Sequence, residues 1–226
     1  MAILYIIGTP IGNLGDISFR AVETLKKADL VACEDTRRTL KLLNHLGIRV
    51  KMLSCRSHNE ELAANKVLQA LAQGLTVAYT SDAGTPSVSD PGSVLAAIAV
   101  QAGHDVIPIP GPSAFASLLS VAGGRDKTII FEGFLSPKSG RRKSRLRELM
   151  LMDGACVFFE SPFRILKLLE DITEIDNERY VCIGREMTKV HEEYIRGSAA
   201  DVLAALNQKK EQKGEFSVYI SGNKFK

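Results

Sequence analysis

The sequence predicts an α/β protein made of two consecutive layered domains, and three observations carry that prediction. Short β-rich apolar runs alternate with amphipathic runs of helical period along the whole chain. Proline and glycine cluster near the middle, in Pro108-Ile109-Pro110-Gly111-Pro112 and again at Gly123-Gly124, where regular structure breaks. A length of 226 residues with 45% hydrophobic side chains suits one large domain or two small ones, each with a real core. The expected domains are 1–112 and 113–226, with 113–122 as a connecting helix.

The opening run through Ile3-Leu4-Tyr5-Ile6-Ile7 lacks a basic flank and a cleavage site, so it reads as a first strand, 2–7. Strands are then expected at 29–33, 50–53, 75–79 and 105–108, with helices near 18–28, 36–46, 58–73 and 91–102. The third helix has a capping box, Ser57-x-x-Glu60. Asp90 before Pro91 reads as an N-cap with proline at the first helical position of the fourth. In the second half, strands are expected at 128–132, 155–159, 179–184, 193–196 and 216–220, and helices near 142–152, 163–173 and 199–209. No apolar run reaches the length of a bilayer span, so no membrane association is expected. Cys33, Cys55, Cys156 and Cys182 show neither zinc spacing nor a Cys-x-x-Cys pair and read as buried free thiols in a reducing cytosol. The four histidines form no metal spacing, and no metal is expected; His58 reads first as a capping-region residue and second as a substrate contact.

Three clusters follow strands or open a helix. Gly8-Thr9-Pro10-Ile11-Gly12-Asn13-Leu14 allows close backbone approach but is not a dinucleotide fingerprint. Thr80 to Gly92 is rich in small residues at the carboxyl end of a strand, where open α/β sheets bind ligands. There Asp82 is placed to meet a ligand's amino group or ribose hydroxyls. Pro110-Gly111-Pro112-Ser113-Ala114 opens the connecting helix, whose first backbone N–H groups are free to hold polar atoms. Acid and base stand together after three strands, in Glu34-Asp35-Thr36-Arg37, Glu160-Ser161-Pro162-Phe163-Arg164 and Arg185-Glu186-Met187-Thr188-Lys189.

Net charge is only +3, but residues 1–123 carry ten cations and ten acids while 124–226 carry nineteen and sixteen. Six cations without an acid fall in Lys138-Ser139-Gly140-Arg141-Arg142-Lys143-Ser144-Arg145-Leu146-Arg147. Such a run suits a polyanion, with Lys138, Arg141, Arg142, Lys143 and Arg145 as expected phosphate contacts. No aromatic residue interleaves there, so base stacking by the segment is not expected.

Thr9-Pro10-Ile11-Gly12-Asn13-Leu14, Glu34-Asp35-Thr36-Arg37, Ser81-Asp82-Ala83-Gly84-Thr85-Pro86 and Pro110-Gly111-Pro112, taken in order, resemble the tetrapyrrole-methylase superfamily. Gly133-Phe134-Leu135, Glu160-Ser161 and Arg185-Glu186-Met187-Thr188-Lys189 continue the match, within the branch that modifies small-subunit ribosomal RNA. The resemblance implies two α/β domains with S-adenosyl-L-methionine in the cleft between them, commonly in a homodimer. It implies as target the ribose 2′-hydroxyl of a cytidine in 16S rRNA, free or within the 30S subunit. Carried over by residue, the cofactor shell is Pro10, Asp82, Ala83, Gly84, Thr85, Ser113 and Ala114, with Phe159 and Met187 from the second domain. The chain departs from the pattern at Ser136, where proline usually follows Gly-Phe-Leu, and in lacking the extension that many relatives carry beyond the last strand.

Methyl transfer from a sulfonium needs a positioned ribose oxygen and a group that takes its proton. Glu34, Asp35, Glu186 and Lys189 are the candidates for that group, and the sequence does not rank them. Two other readings stand beside the RNA methylase. A tetrapyrrole methylase would need an enclosed apolar cleft and no exposed cations, and a non-catalytic RNA-binding module would not need the Ser81–Pro86 loop.

Overall fold

The computed structural model describes residues 2–56 and 60–222, and the chain divides into two compact units, Met1–Ser113 and Ala114–Lys226. The first unit holds β1 (Ile3–Ile7), α1 (Phe19–Lys27), β2 (Leu30–Cys33), α2 (Thr36–His45), β3 (Lys51–Ser54), α3 (Glu60–Ala72), β4 (Val77–Thr80), α4 (Ser93–Gln101) and β5 (Asp105–Ile109). Its strands form one parallel sheet in the order β3-β2-β4-β1-β5. Both faces of a parallel sheet must be covered, and the strands are correspondingly apolar. Ala21 and Leu25 of α1 and Leu43 of α2 pack on one face against Ile7, Val31 and Ala78. Ala63, Val67 and Leu71 of α3 and Leu95 and Ala99 of α4 pack on the other against Leu4, Ala32 and Tyr79. β1 and β4 are neighbours whose connecting helices run over opposite faces, which opens a crevice at the carboxyl edge between them.

The second unit holds α5 (Ala114–Ala122), β6 (Ile129–Phe134), α6 (Ser139–Leu151), β7 (Ala155–Glu160), α7 (Ile165–Ile175), β8 (Tyr180–Arg185), β9 (Glu193–Ser198), α8 (Ala199–Asn207) and β10 (Phe216–Ile220). Its sheet is mixed, in the order β6-β7-β10-β8-β9, and only the β6–β7 pair is parallel. Leu146 and Leu149 of α6, Leu168 and Ile172 of α7 and Val202 and Leu206 of α8 bury one face of it with Phe158, Ile183 and Val218. On β6 the register slips between Phe131 and Gly133, a bulge that leaves Glu132 out of step with β7.

Two local expectations fail. α4 does not start at Asp90-Pro91: Gly92 is its N-cap, at φ 130°, and no side chain of its own segment caps it. Oε1 of Glu60 instead accepts from Gly92 N at 2.8 Å and Leu95 N at 3.4 Å, so α3 supplies the acceptor that Asp90 was expected to provide. Ser57 and His58, the other part of the expected capping box and its neighbour, lie outside the described residues. α6 starts at Ser139, earlier than expected, because Arg142 N already donates to Lys138 O at 3.0 Å.

Candidate active site

In the first unit the loops leaving β1, β2, β4 and β5 meet at the carboxyl edge of the sheet. Thr9 and Gly84 exchange two backbone hydrogen bonds, at 2.9 and 3.0 Å, which ties the β1 loop to the β4 loop. Thr85 Oγ1 donates to Pro112 O at 3.2 Å and Gly8 N to Ile109 O at 3.0 Å, which brings in the β5 loop. Gly8 and Gly111 pass so close that a Cβ on Gly8 would sit 2.8 Å from Gly111 Cα, so neither position has room for a side chain. Pro10, Asp82, Ala83, Gly84 and Thr85 therefore occupy one edge, as do Glu34 and Asp35 after β2.

The carboxylates of this edge are linked. Asp82 Oδ1 accepts from Asp35 N at 2.9 Å, and Asp82 N donates to Glu34 Oε2 at 3.2 Å. Arg38 Nε lies 3.4 Å from Asp82 Oδ2. Asp82 is thus a tie between the β2 and β4 loops as well as an acceptor with lone pairs left for a ligand. The four candidate proton acceptors now separate. Asp35 caps α2 by accepting from Arg37 N at 2.9 Å, and the Arg37 side chain and backbone N–H hold it well below the usual carboxylate range. Glu34 moves the other way. Burial pushes its pKa up, the Asp82 N–H works against this, and the charges of Asp82 and Asp90 add to the rise. Asp90, half-buried beside it, is also raised by burial, against a hydrogen bond with the Ser81 side chain.

The other two candidates lie in the second unit, in the loop after β8. Lys189 Nζ reaches Glu186 Oε1 at 2.8 Å and Glu215 Oε2 at 3.0 Å. Partial burial works against the charge of both Lys189 and Glu186, but their pairing prevails, raising the lysine and lowering the glutamate. Lys189 is held as an ammonium, so the neutral amine that proton abstraction requires is disfavoured. Glu186 and Thr188 take positive φ, 49° and 67°, as does Ser87 at 69° in the β4 loop. Such strain costs about 1–3 kcal/mol per residue and gathers at functional loops. Met187 is buried, its sulfur packed where a Cβ on Gly184 would be 2.6 Å away.

Phe159 joins an edge-to-face series with Phe115, Phe131 and Phe134, at centroid distances of 5.0 to 5.9 Å. Phe134 is exposed and stands four residues before Lys138 in the sequence, outside the basic run. Ser113 and Ala114, the remaining cofactor candidates, end the first unit and open α5 of the second.

The basic run is acid-free only along the chain. Arg142 is buried, with its Nε 2.6 Å from Asp171 Oδ2. Lys143 Nζ lies 2.5 Å from Glu174 and 3.6 Å from Asp171, and Arg147 lies 3.7 Å from Glu174. Arg145 makes a two-pronged contact with Glu132 at 2.8 and 2.9 Å and adds Glu148 at 3.0 Å. Arg142 is therefore withdrawn as a phosphate contact, since it cannot leave Asp171 without exposing a buried charge. Lys143 and Arg145 are already neutralised. Lys138 and Arg141 are exposed and have no carboxylate partner among the described residues.

Sequence reasoning also passed over Thr9, Thr80, Arg38 and Lys41, which surround a recess of about 110 Å³ beside Asp82. Their one signal was position: the threonines sit at strand ends, and the cations lie three and six residues after Asp35 on α2.

A family model for tetrapyrrole (corrin/porphyrin) methylases matches residues 3–203. The chain belongs to that methyltransferase family. Among relatives named "Ribosomal RNA small subunit methyltransferase I", that of Borrelia garinii subsp. bavariensis is 46% identical over 96% of this chain and 98% of its own length. The Thermotoga maritima relative is 44% identical over 98% and 99%, and the Bacillus subtilis one 37% identical over 99% of this chain and 76% of its own length. The fold is also that of a solved uroporphyrin-III C-methyltransferase from Thermus thermophilus. That structure has a TM-score of 0.66 and 16% identity, over 98% of this chain and 94% of that one.

Proposed function

We propose that this methyltransferase moves the methyl group of S-adenosyl-L-methionine to the 2′-oxygen of a cytidine ribose in 16S rRNA. The observation that carries the proposal is the near end-to-end match, at 46% and 44% identity, to two relatives named as small-subunit ribosomal RNA methyltransferases. The residues at the carboxyl edge fit the cofactor: Asp82 retains free lone pairs for an ammonium or ribose hydroxyls, and Ala83 and Gly84 leave the backbone open to approach. When bound, the cofactor supplies an electrophilic methyl on a sulfonium, so that the new O–C bond forms as the S–C bond breaks and a neutral thioether leaves.

Glu34 takes the ribose proton. It is the one of the four candidates whose pKa is raised by burial and by like charges, which strengthens it as a base. Asp82 positions it through the backbone N–H donated to Glu34 Oε2. Glu186 and Lys189 hold the β8 loop in its strained shape. Through the family resemblance, the proposal carries a homodimer acting in the cytoplasm on rRNA or the 30S subunit.

The test is mass spectrometry of small-subunit rRNA from cells lacking the gene, with transfer by the purified protein to that rRNA as complement. Loss of one 2′-O-methylcytidine and its restoration in vitro are expected. Unchanged rRNA, or transfer to a tetrapyrrole instead, overturns the proposal.

A further inference from the structure

Among the described residues of the first unit, the buried hydroxyls of Thr9, Tyr79 and Thr80 have no hydrogen-bond partner, and two of these residues, Thr9 and Thr80, line the same recess. Thr80 ends β4 and Thr9 follows β1, the adjacent strand; they are 1% and 3% exposed. The Oγ1 of each is buried without a hydrogen-bond partner among the described residues. Burying a hydroxyl in this state is costly, so two together at the open edge of a parallel sheet mark a place where something else supplies the partner. Both line the recess, together with Arg38, Lys41, Asp82 and Pro10.

The charge of the lining is defined. Arg38 gives only its Nε to Asp82, at 3.4 Å, and its side chain is 62% exposed, leaving the rest of the guanidinium fork free. Lys41, one turn further along α2, is exposed and has no carboxylate partner among the described residues. Within the lining itself, two cations stand against the single carboxylate of Asp82, a balance that favours an anionic group. A volume of about 110 Å³ is well below the roughly 300–1,000 Å³ of pockets that enclose whole drug-sized ligands. The recess therefore suits one small polar group and not a nucleoside.

We propose that this recess holds a phosphodiester of the RNA adjoining the ribose that is methylated. Arg38 and Lys41 provide the charge, and Thr9 and Thr80 donate their hydroxyls to its oxygens. This rests on the RNA-methylase reading and deepens it, because the recess connects to the proposed proton acceptor: Asp82, in its lining, donates its N–H to Glu34. A ribose presenting its 2′-hydroxyl to Glu34 has its own 3′-phosphate on the neighbouring carbon. Holding that phosphate fixes which oxygen faces Glu34, so the recess is a register device for the substrate.

The experiment compares wild type, the double variant Arg38→Gln/Lys41→Gln, and Thr80→Val. Each is assayed for methyl transfer to 30S subunits and to small-subunit rRNA at several salt concentrations, with cofactor affinity measured by calorimetry. The double variant should raise KM for RNA about tenfold or more and flatten log K against log salt by about 0.7–0.9, the value for one phosphate. Its cofactor affinity should stay within twofold of wild type. Thr80→Val should raise KM for RNA severalfold while its thermal midpoint stays level or rises, since it removes an unpartnered buried hydroxyl. Unchanged KM and salt slope in an RNA-active wild-type background overturn this inference alone. A fall in cofactor affinity with RNA kinetics unchanged also overturns it, by assigning the recess to the cofactor's carboxylate. A wild type that transfers no methyl to RNA overturns the functional reading and this inference together.

Discussion

α2 and α6 are both rich in cations, and folding treats them in opposite ways. Along α6, acids arriving from β6, α7 and α6 itself neutralise four of the six cations that make the segment look like a polyanion site. Along α2, Arg38 is only partly occupied and Lys41 has no acid partner among the described residues, and both border a recess with two unpartnered hydroxyls. The denser charge is mostly structural, and the sparser one is available to a ligand. Charge density along a chain says little about binding until the acids brought in by other elements are counted.

The largest expected effect lies at the β2–α2 edge. Glu34→Gln should lower turnover by about two to four orders of magnitude with cofactor affinity retained; equal turnover in single-turnover assays at saturating RNA would move the chemistry away from α2. The accompanying pH profile has a definite sign. Glu34 must be deprotonated to accept the proton and its pKa is raised by burial, so the rate should fall as pH drops through a value above the ordinary carboxylate range. That limb should vanish in Glu34→Gln.

Stability should separate the two helices next. Arg142→Leu leaves the buried Asp171 with only the longer contact to Lys143, at 3.6 Å, and should cost about 3 kcal/mol, read by urea unfolding. The exposed pair of Arg38 with Asp82 should cost no more than about 1 kcal/mol when broken by Arg38→Gln. Equal losses would erase the distinction between a structural and an available cation. Asp82→Asn should weaken cofactor binding by about one to two orders of magnitude, since a charge-assisted hydrogen bond is worth about 1.5–3 kcal/mol. It keeps the acceptor for Asp35 N, so calorimetry on it isolates ligand loss from loop loss. The smallest effect belongs to the remnant of the α6 run. Lys138→Gln and Arg141→Gln should each change the salt slope of RNA binding by no more than about 0.7–0.9, and Lys143→Gln by less, because Glu174 already holds that lysine.

Strands and helices were legible because each writes its own period, and the functional loops were legible because glycine, proline and small polar residues gather at strand ends. What escaped depends on partners distant in sequence. Glu60 caps α4 from 32 residues away, where Asp90 offered a local and wrong answer. Asp171, 29 residues beyond Arg142, turns an apparent RNA contact into a core ion pair. Glu34 could not be ranked above Asp35 because the residue that separates them, Asp82, lies 48 positions on from Glu34. Thr9 and Thr80 look like any strand threonine until their missing partners are seen.

The four cysteines have a use of their own. All are free and buried, Cys33 and Cys55 in the first unit and Cys156 and Cys182 in the second. Burial pushes the thiols up, Cys55 and Cys156 to about 11, so little thiolate exists near neutral pH. Each half of the chain thus carries two silent alkylation sites that react only when that half opens. The protein comes with a pair of stopwatches, one per unit. Timed labelling read by peptide mass can show whether the two halves come apart together or in turn.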